Sequence, residues 1–332
     1  MLPDEHGTRP ITAARQPLGR RRRTSALPRQ AQLACFSTVC LTHAPDALGH
    51  APGEHASLWL AWSFDPWVAI PLLLAATLYA GGRMRLAAHA RTGRREARLF
   101  YAGWIAAVLA LLSPLDALGD ALFSAHMVQH ELLMLVAAPL LVLGKPLPVW
   151  LWALPATWRP GIAAASHARP WAWLWQTCTR PLGAWLIHFA VLWIWHAPPL
   201  FQAAVGDNAV HTLQHLGFMG SALLFWWAMF DPRHGLIRPA LGALYIFTTA
   251  LHTSVLGALL TFAERLWYPV YAETTQRFGL TPLEDQQLGG LIMWVPGGVV
   301  YLIVTLGLLA RLLRSAAPAT GRRPASTSAA HR

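Results

Sequence analysis

Apolar residues in this chain neither alternate nor form short amphipathic stripes. They come in blocks of about twenty, the length a helix needs to cross the hydrocarbon core of a bilayer. Seven blocks are predicted as spanning helices, at roughly residues 58–82, 100–118, 123–144, 181–201, 209–230, 239–263 and 287–313. Another apolar stretch, 147–155, is too short and too rich in proline to cross. It extends the third helix or lies at the interface, as does the following segment with Trp171, Trp173 and Trp175. The pattern therefore predicts an all-α polytopic membrane protein with seven transmembrane helices over 57–314 and a disordered cytoplasmic tail over 315–332.

Composition agrees. Of 332 residues, 55% are apolar and only 12% charged, where soluble domains carry about 25% charged residues. An ordinary cytosolic domain is excluded. The net charge of +11 does not call for nucleic acid, because the basic residues lie between the apolar blocks. After the first block, 17 basic residues fall in alternate loops and the tail, from Arg83 to Arg332, and only Arg265 and Arg277 fall on the other side. Positive charge stays in the cytoplasm, so the C-terminus is expected there and the first helix enters from outside. Residues 1–56 differ from the rest. They hold seven arginines, including the run 20–23, and one apolar stretch, 33–41. They read as a disordered extension, a signal-like segment or the product of a start codon placed too far upstream. Cys35, Cys40 and Cys178 make neither a zinc pattern nor a disulfide framework.

Histidine carries the candidate chemistry. The third predicted helix opens with Ser124-Ala-His-Met-Val-Gln-His130, and the fifth with His211-Thr-Leu-Gln-His215. Each pair is four residues apart, on one helical face about 6 Å apart along the axis. A methionine follows one turn deeper, Met134 or Met219, so H-x-x-Q-H-x-x-x-M occurs twice. Both helices run inward from the outer surface, which puts the two copies at one depth. A single interfacial histidine is most simply a solvated side chain; four at matched depth with matched partners point to a metal. Imidazole suits copper, and thioether sulfur selects Cu(I). The candidate ligands are His126, His130, His211, His215, Met134 and Met219. His196, at the outer end of the fourth helix beside Pro198 and Pro199, and His252, mid-span in the sixth, are added to them. His188 ranks below these as a core histidine. Gln129, Gln214, Glu131 and Asp285 are expected to orient the imidazoles from behind, although helix capping alone explains Asp285. The glycines at 289, 290, 297 and 298 read as sites of close helix approach.

These residues, in order, resemble the CtaG-type cytochrome c oxidase assembly factors of bacteria. The resemblance rests on Asp65-Pro66, Ser113-Pro-Leu-Asp116, Phe123 to His130, Ala138-Pro-Leu-Leu, Leu143-Gly-Lys-Pro146 and Trp195-His-Ala-Pro-Pro-Leu-Phe201. His211 to His215, Tyr268-Pro-Val-Tyr271 and Asp285-Gln-Gln-Leu-Gly-Gly-Leu-Ile-Met-Trp294 complete it. It covers roughly residues 60 to 312. It implies a multi-pass protein of the bacterial inner membrane that supports copper supply to the oxidase. Oxidase subunits, and a periplasmic copper chaperone, are the implied partners. Glu131, where an apolar residue is expected, and the long N-terminal extension depart from the family pattern.

Nothing in the chain matches a nucleotide loop, a nucleophile triad or a hydrolase carboxylate pair, so a binder or carrier is expected, and no enzyme. The alternatives are a haem-binding electron carrier, a copper or solute transporter, and a structural assembly scaffold. Paired histidines at the mouth of a bundle fit haem less well than one interior histidine per helix would.

Overall fold

A computed structural model describes residues 61–87, 93–231, 233 and 239–316. The N-terminal extension, Cys35, Cys40 and most of the tail lie outside the described residues. The rest is helical, without strands among the described residues: α1 Pro66–Ala87, α2 Arg94–Leu111, α3 Pro114–Ala121 and α4 Phe123–Glu131. A π-helical turn, Leu132–Ala137, joins α4 to α5 Ala138–Leu143. Then follow α6 Pro146–Ala153, α7 Arg159–Ser166, α8 Arg169–Thr179, α9 Pro181–Trp195, α10 Pro198–Gly206, α11 Asn208–Phe230, α12 Pro239–Thr261 and α13 Pro282–Ala316.

Each predicted block is helical, but seven uninterrupted spans do not result. Four helices are long and apolar enough to cross on their own: Pro66–Leu86, Phe123–Leu143, Ala240–Thr261 and Pro282–Arg314. Two bent pairs, α2 with α3 at 43° and α9 with α10 at 73°, are long and apolar enough together, so the number among the described residues reaches six if each pair is one crossing. Proline causes both breaks. Pro114 and Pro198 start α3 and α10, where a missing N–H costs nothing, while the chain before each cannot continue as helix. The seventh candidate, α11, is one helix of 23 residues. It is less apolar than the others because His211, Gln214, His215, Trp226 and Trp227 take up part of its length.

The helical surface is apolar. Leu73, Phe247, Leu251, Leu302 and Ile303 are all more than half exposed, as expected of a lipid-facing belt. Polar side chains are turned inward instead. The buried set includes His126, Gln129, His130, His196, Gln214 and His215. Around them packs an aromatic core of Phe123, Phe201, Phe218, Phe225, Tyr268 and Tyr271.

Two devices set the helices that matter. At Gly290 of α13, a Cβ would come within 2.6 Å of the Thr261 backbone nitrogen, so α12 and α13 approach at a distance only glycine permits. Gly289 likewise faces the Phe123 ring, whereas Gly298 opens onto free space. The second device is Asp285. Its carboxylate accepts the backbone N–H of Phe123 at 2.6 Å and of Ser124 at 3.1 Å, and the Ser124 hydroxyl at 2.5 Å. Asp285 thus caps the next helix over, α4, whose first-turn N–H groups have no partner of their own.

Candidate metal centre

α4 and α11 bring the two histidine pairs face to face. Ring centroids lie 4.4 Å apart within each pair, His126 with His130 and His211 with His215. Across the interface the separations are 5.2 Å for His126 and His211 and 5.4 Å for His130 and His215. The histidines therefore stack in two layers, the His126–His211 layer nearer the helix N-termini. One donor nitrogen each from His126, His130 and His215 lies within 4.8 Å of the other two, and all three side chains are buried.

His196 joins them from the break between α9 and α10, with its ring 6.1 Å from that of His130. Its Nδ1 lies 2.7 Å from the Leu192 carbonyl. A carbonyl only accepts, so Nδ1 carries the proton and Nε2 keeps its lone pair. The His196 carbonyl, freed by the break, accepts the Tyr268 hydroxyl at 2.7 Å. Phe201 and Phe218 close the sides, 5.0 Å from His126 and 4.3 Å from His130.

Within this chamber several buried polar atoms have no hydrogen-bond partner among the described residues: both ring nitrogens of His130, Nε2 of His196, His211 and His215, and Nε2 of Gln214. Folded proteins leave few buried polar atoms unpaired. The imidazole lone pairs among them, grouped around the His126, His130 and His215 donors, suit a ligand that accepts electron pairs. Neutral imidazoles form the donor set, which suits copper, zinc, iron or nickel rather than calcium or magnesium.

The supporting residues divide. Gln214 on α11 places Oε1 3.2 Å from His126 Nε2 on α4, the cross-helix support expected of it. Gln129 does something else. Its amide donates to the Ala110 carbonyl at 2.7 Å and to the Asp116 carboxylate at 2.8 Å. α2 ends at Leu111 with free carbonyls in its last turn, and Gln129 fills that vacancy, so the two glutamines of the repeat are not equivalent. Glu131 turns away from the imidazoles to meet α13, where a Cβ on Gly297 would come 3.0 Å from its Oε2. One residue past His130 is a rotation of about 100°, enough to move it off the histidine face. Asp285 caps α4 and orients no imidazole directly.

His252 does not join the chamber. Its ring packs 5.5 Å from Trp185 and 4.9 Å from Phe189, in the middle of α9. Trp185 is eleven residues from His196 along the chain, about 16 Å at the helical rise. His188 lies 3.1 Å from the Ser221 hydroxyl, a partnered core histidine. The methionines belong to apolar packing: Met134 lies in the main core, and Met219 packs against Leu133 and the alanine face of α2.

Two contributors were given only a minor part by the sequence reading. Tyr268 reaches the His196 carbonyl. Tyr271 donates to the Gly119 carbonyl at 3.0 Å, and its oxygen lies 3.4 Å from His126 Nδ1. Tyr268 precedes and Tyr271 ends the 3-10 turn Pro269–Tyr271, where positions three apart eclipse one another. The Tyr-x-x-Tyr spacing was the available signal. Burial holds both phenol pKa values above the ordinary tyrosine range, so both hydroxyls keep their protons at neutral pH.

Among known proteins, the chain is 28% identical over 294 residues to an uncharacterized protein of Mycobacterium bovis and equally to one of Mycobacterium tuberculosis. Each match covers 82% of this chain and 44% of the relative. A third relative, from Mycobacterium leprae, is 25% identical over 276 residues, covering 79% of this chain and 41% of the other. The chain thus spans less than half the length of these curated relatives. No solved structure matches. The family model of the cytochrome c oxidase caa3 assembly factors matches residues 77–315, a stretch that contains every histidine of the chamber, and the chain belongs to that family.

Proposed function

We propose that this protein binds a copper ion in the histidine chamber, as cargo, and supports its delivery to a nascent cytochrome c oxidase. The observation that carries this reading is the convergence of His126, His130 and His215 donors within 4.8 Å, with neighbouring lone pairs unsatisfied. Imidazole chemistry alone leaves copper, zinc, iron and nickel open; membership in an oxidase assembly family supports copper among them. His130 and His215 are the core ligands, with His196 and His211 close by and His126 held by Gln214. A set of exchangeable imidazoles on neighbouring helices suits transfer better than a closed thiolate cage does. No role in this reading requires an enzyme.

Delivery fixes the expected setting. The protein would cross the inner membrane seven times, counting α11 and each bent pair as one crossing. The C-terminus would be cytoplasmic, and the chamber would lie near the outer face, within reach of oxidase subunits and a periplasmic copper donor. A C-terminal fusion to alkaline phosphatase should be inactive and a fluorescent protein fusion bright. The opposite pattern would invert the placement of the chamber.

In a strain lacking this protein, oxidase activity at limiting copper should fall while the oxidase subunits still insert, and added copper should restore part of it. Unchanged activity under those conditions would remove the proposed role.

A further inference from the structure

At the arginine-rich end of the bundle lies a second feature that the copper reading does not use. A cleft of about 480 Å³ runs between α1, α2, α5, α6 and α11. Its walls are almost wholly apolar, including Leu72, Trp104, Trp150 and Leu224, with Met219 and Gly220 on the α11 side. Two further cavities adjoin it by sharing Trp227. One contains Lys145 and Arg233, the other Arg180 and Arg233. The indole Nε1 of Trp227 is buried and has no hydrogen-bond partner among the described residues. Trp175, from the interfacial helix α8, packs edge-on against Trp227 at 5.8 Å.

We propose that this cleft is a binding site for an anionic phospholipid, one acyl chain in the apolar part and the phosphate among Lys145, Arg180 and Arg233. Each part of the cleft matches one part of such a molecule. The hydrocarbon walls suit an alkyl chain, whereas a folded peptide segment would bring backbone groups they cannot satisfy. The Trp227 N–H offers a donor at the boundary, where the ester and phosphate oxygens of a lipid begin. Charge selects the headgroup. Arg233 is bound to Asp231, at 2.7 Å in its shortest contact, and those two charges offset each other. Lys145 is only loosely opposed by Glu96, at 3.9 Å and with its own side chain 70% exposed. Arg180 adds a further exposed positive charge at the start of α9. The mouth is therefore net positive, and basic pockets between helices at the cytoplasmic side favour anionic headgroups.

Gly220 offers a clean test. A Cβ there meets nothing within 4 Å, so Gly220→Leu would fill the cleft without a clash and would favour the helix. The full chain would be delipidated in detergent and titrated with phosphatidylglycerol or phosphatidylcholine, counting bound lipid by native mass spectrometry. The wild type should hold one phosphatidylglycerol in preference to phosphatidylcholine. At about fivefold for each basic side chain near a headgroup, the Lys145→Gln/Arg180→Gln pair should lose about twenty-five-fold of that preference. Gly220→Leu should abolish retention of either lipid. Equal retention of both lipids by the wild type, an undiminished preference in the double variant, or unaltered binding in Gly220→Leu would each overturn the site. Copper content serves as the fold control, since none of these residues touches the histidine chamber.

Discussion

Purified protein carrying His130→Ala is expected to lose its copper, and His215→Ala should lose it to the same extent. Both ring nitrogens of His130 are buried without a partner among the described residues, and its ring lies 5.4 Å from that of His215 on the facing helix. Either substitution removes a donor from the centre of the cluster. Losing an outer partner of a metal site weakens binding by roughly 10–100-fold, so losing a core ligand should exceed that. Ligands to one ion act as a unit, so the double variant should be no worse than either single one. His252→Ala should leave copper content unchanged, because that ring lies beside Trp185 and Phe189 in the middle of α9. Metal analysis after detergent purification reads all four. Additive losses in the double variant would mean two separate sites, and copper loss in His252→Ala would mean that the chamber has been drawn too small.

The second large effect is on stability. Asp285→Ala would strip three hydrogen bonds from the buried start of α4. Buried donors left unsatisfied cost about 1–3 kcal/mol, a range that already contains the loss of an N-cap. A loss of about 3 kcal/mol should lower Tm by about 5 °C in a protein of this size. Asp285→Asn retains an acceptor oxygen and should cost clearly less. Thermal unfolding in detergent, followed by circular dichroism, distinguishes them. If Asp285→Ala unfolds at the wild-type temperature, the cross-helix cap contributes nothing.

The chamber itself was legible in the sequence. Spacing of four residues and a common direction for two helices were enough to place His126, His130, His211 and His215 together. His196 was legible for a different reason, since two prolines beside it promised a broken helix end. What failed was the assumption that a repeated motif implies repeated roles. Gln129 and Gln214 occupy equal positions in the two copies, yet only α4 lies beside the end of α2, where the Ala110 carbonyl captures Gln129. Asp285 sits where a cap for its own helix is expected, and only packing shows that it serves α4. Tertiary neighbours decide both cases, and spacing along one helix carries no record of them. The number of crossings was obscured by the same chemistry that marks the site, because the polar residues of α11 dilute its apolar signal.

The π turn at Leu132–Ala137 lies directly beneath His130. Such a turn contains one residue more than the same length of α-helix, and it is a recognised companion of functional sites. Met134 falls inside it, so the turn separates the two copies of the motif at the point where they were most alike. In genetic terms, deleting a single codon there would leave a regular apolar helix, still fit to cross a bilayer. Everything above the deletion would be turned by about 100° relative to everything below. His126 and His130 would then no longer face His215. One inserted residue separates a transmembrane helix that holds half of the histidine chamber from one that merely spans.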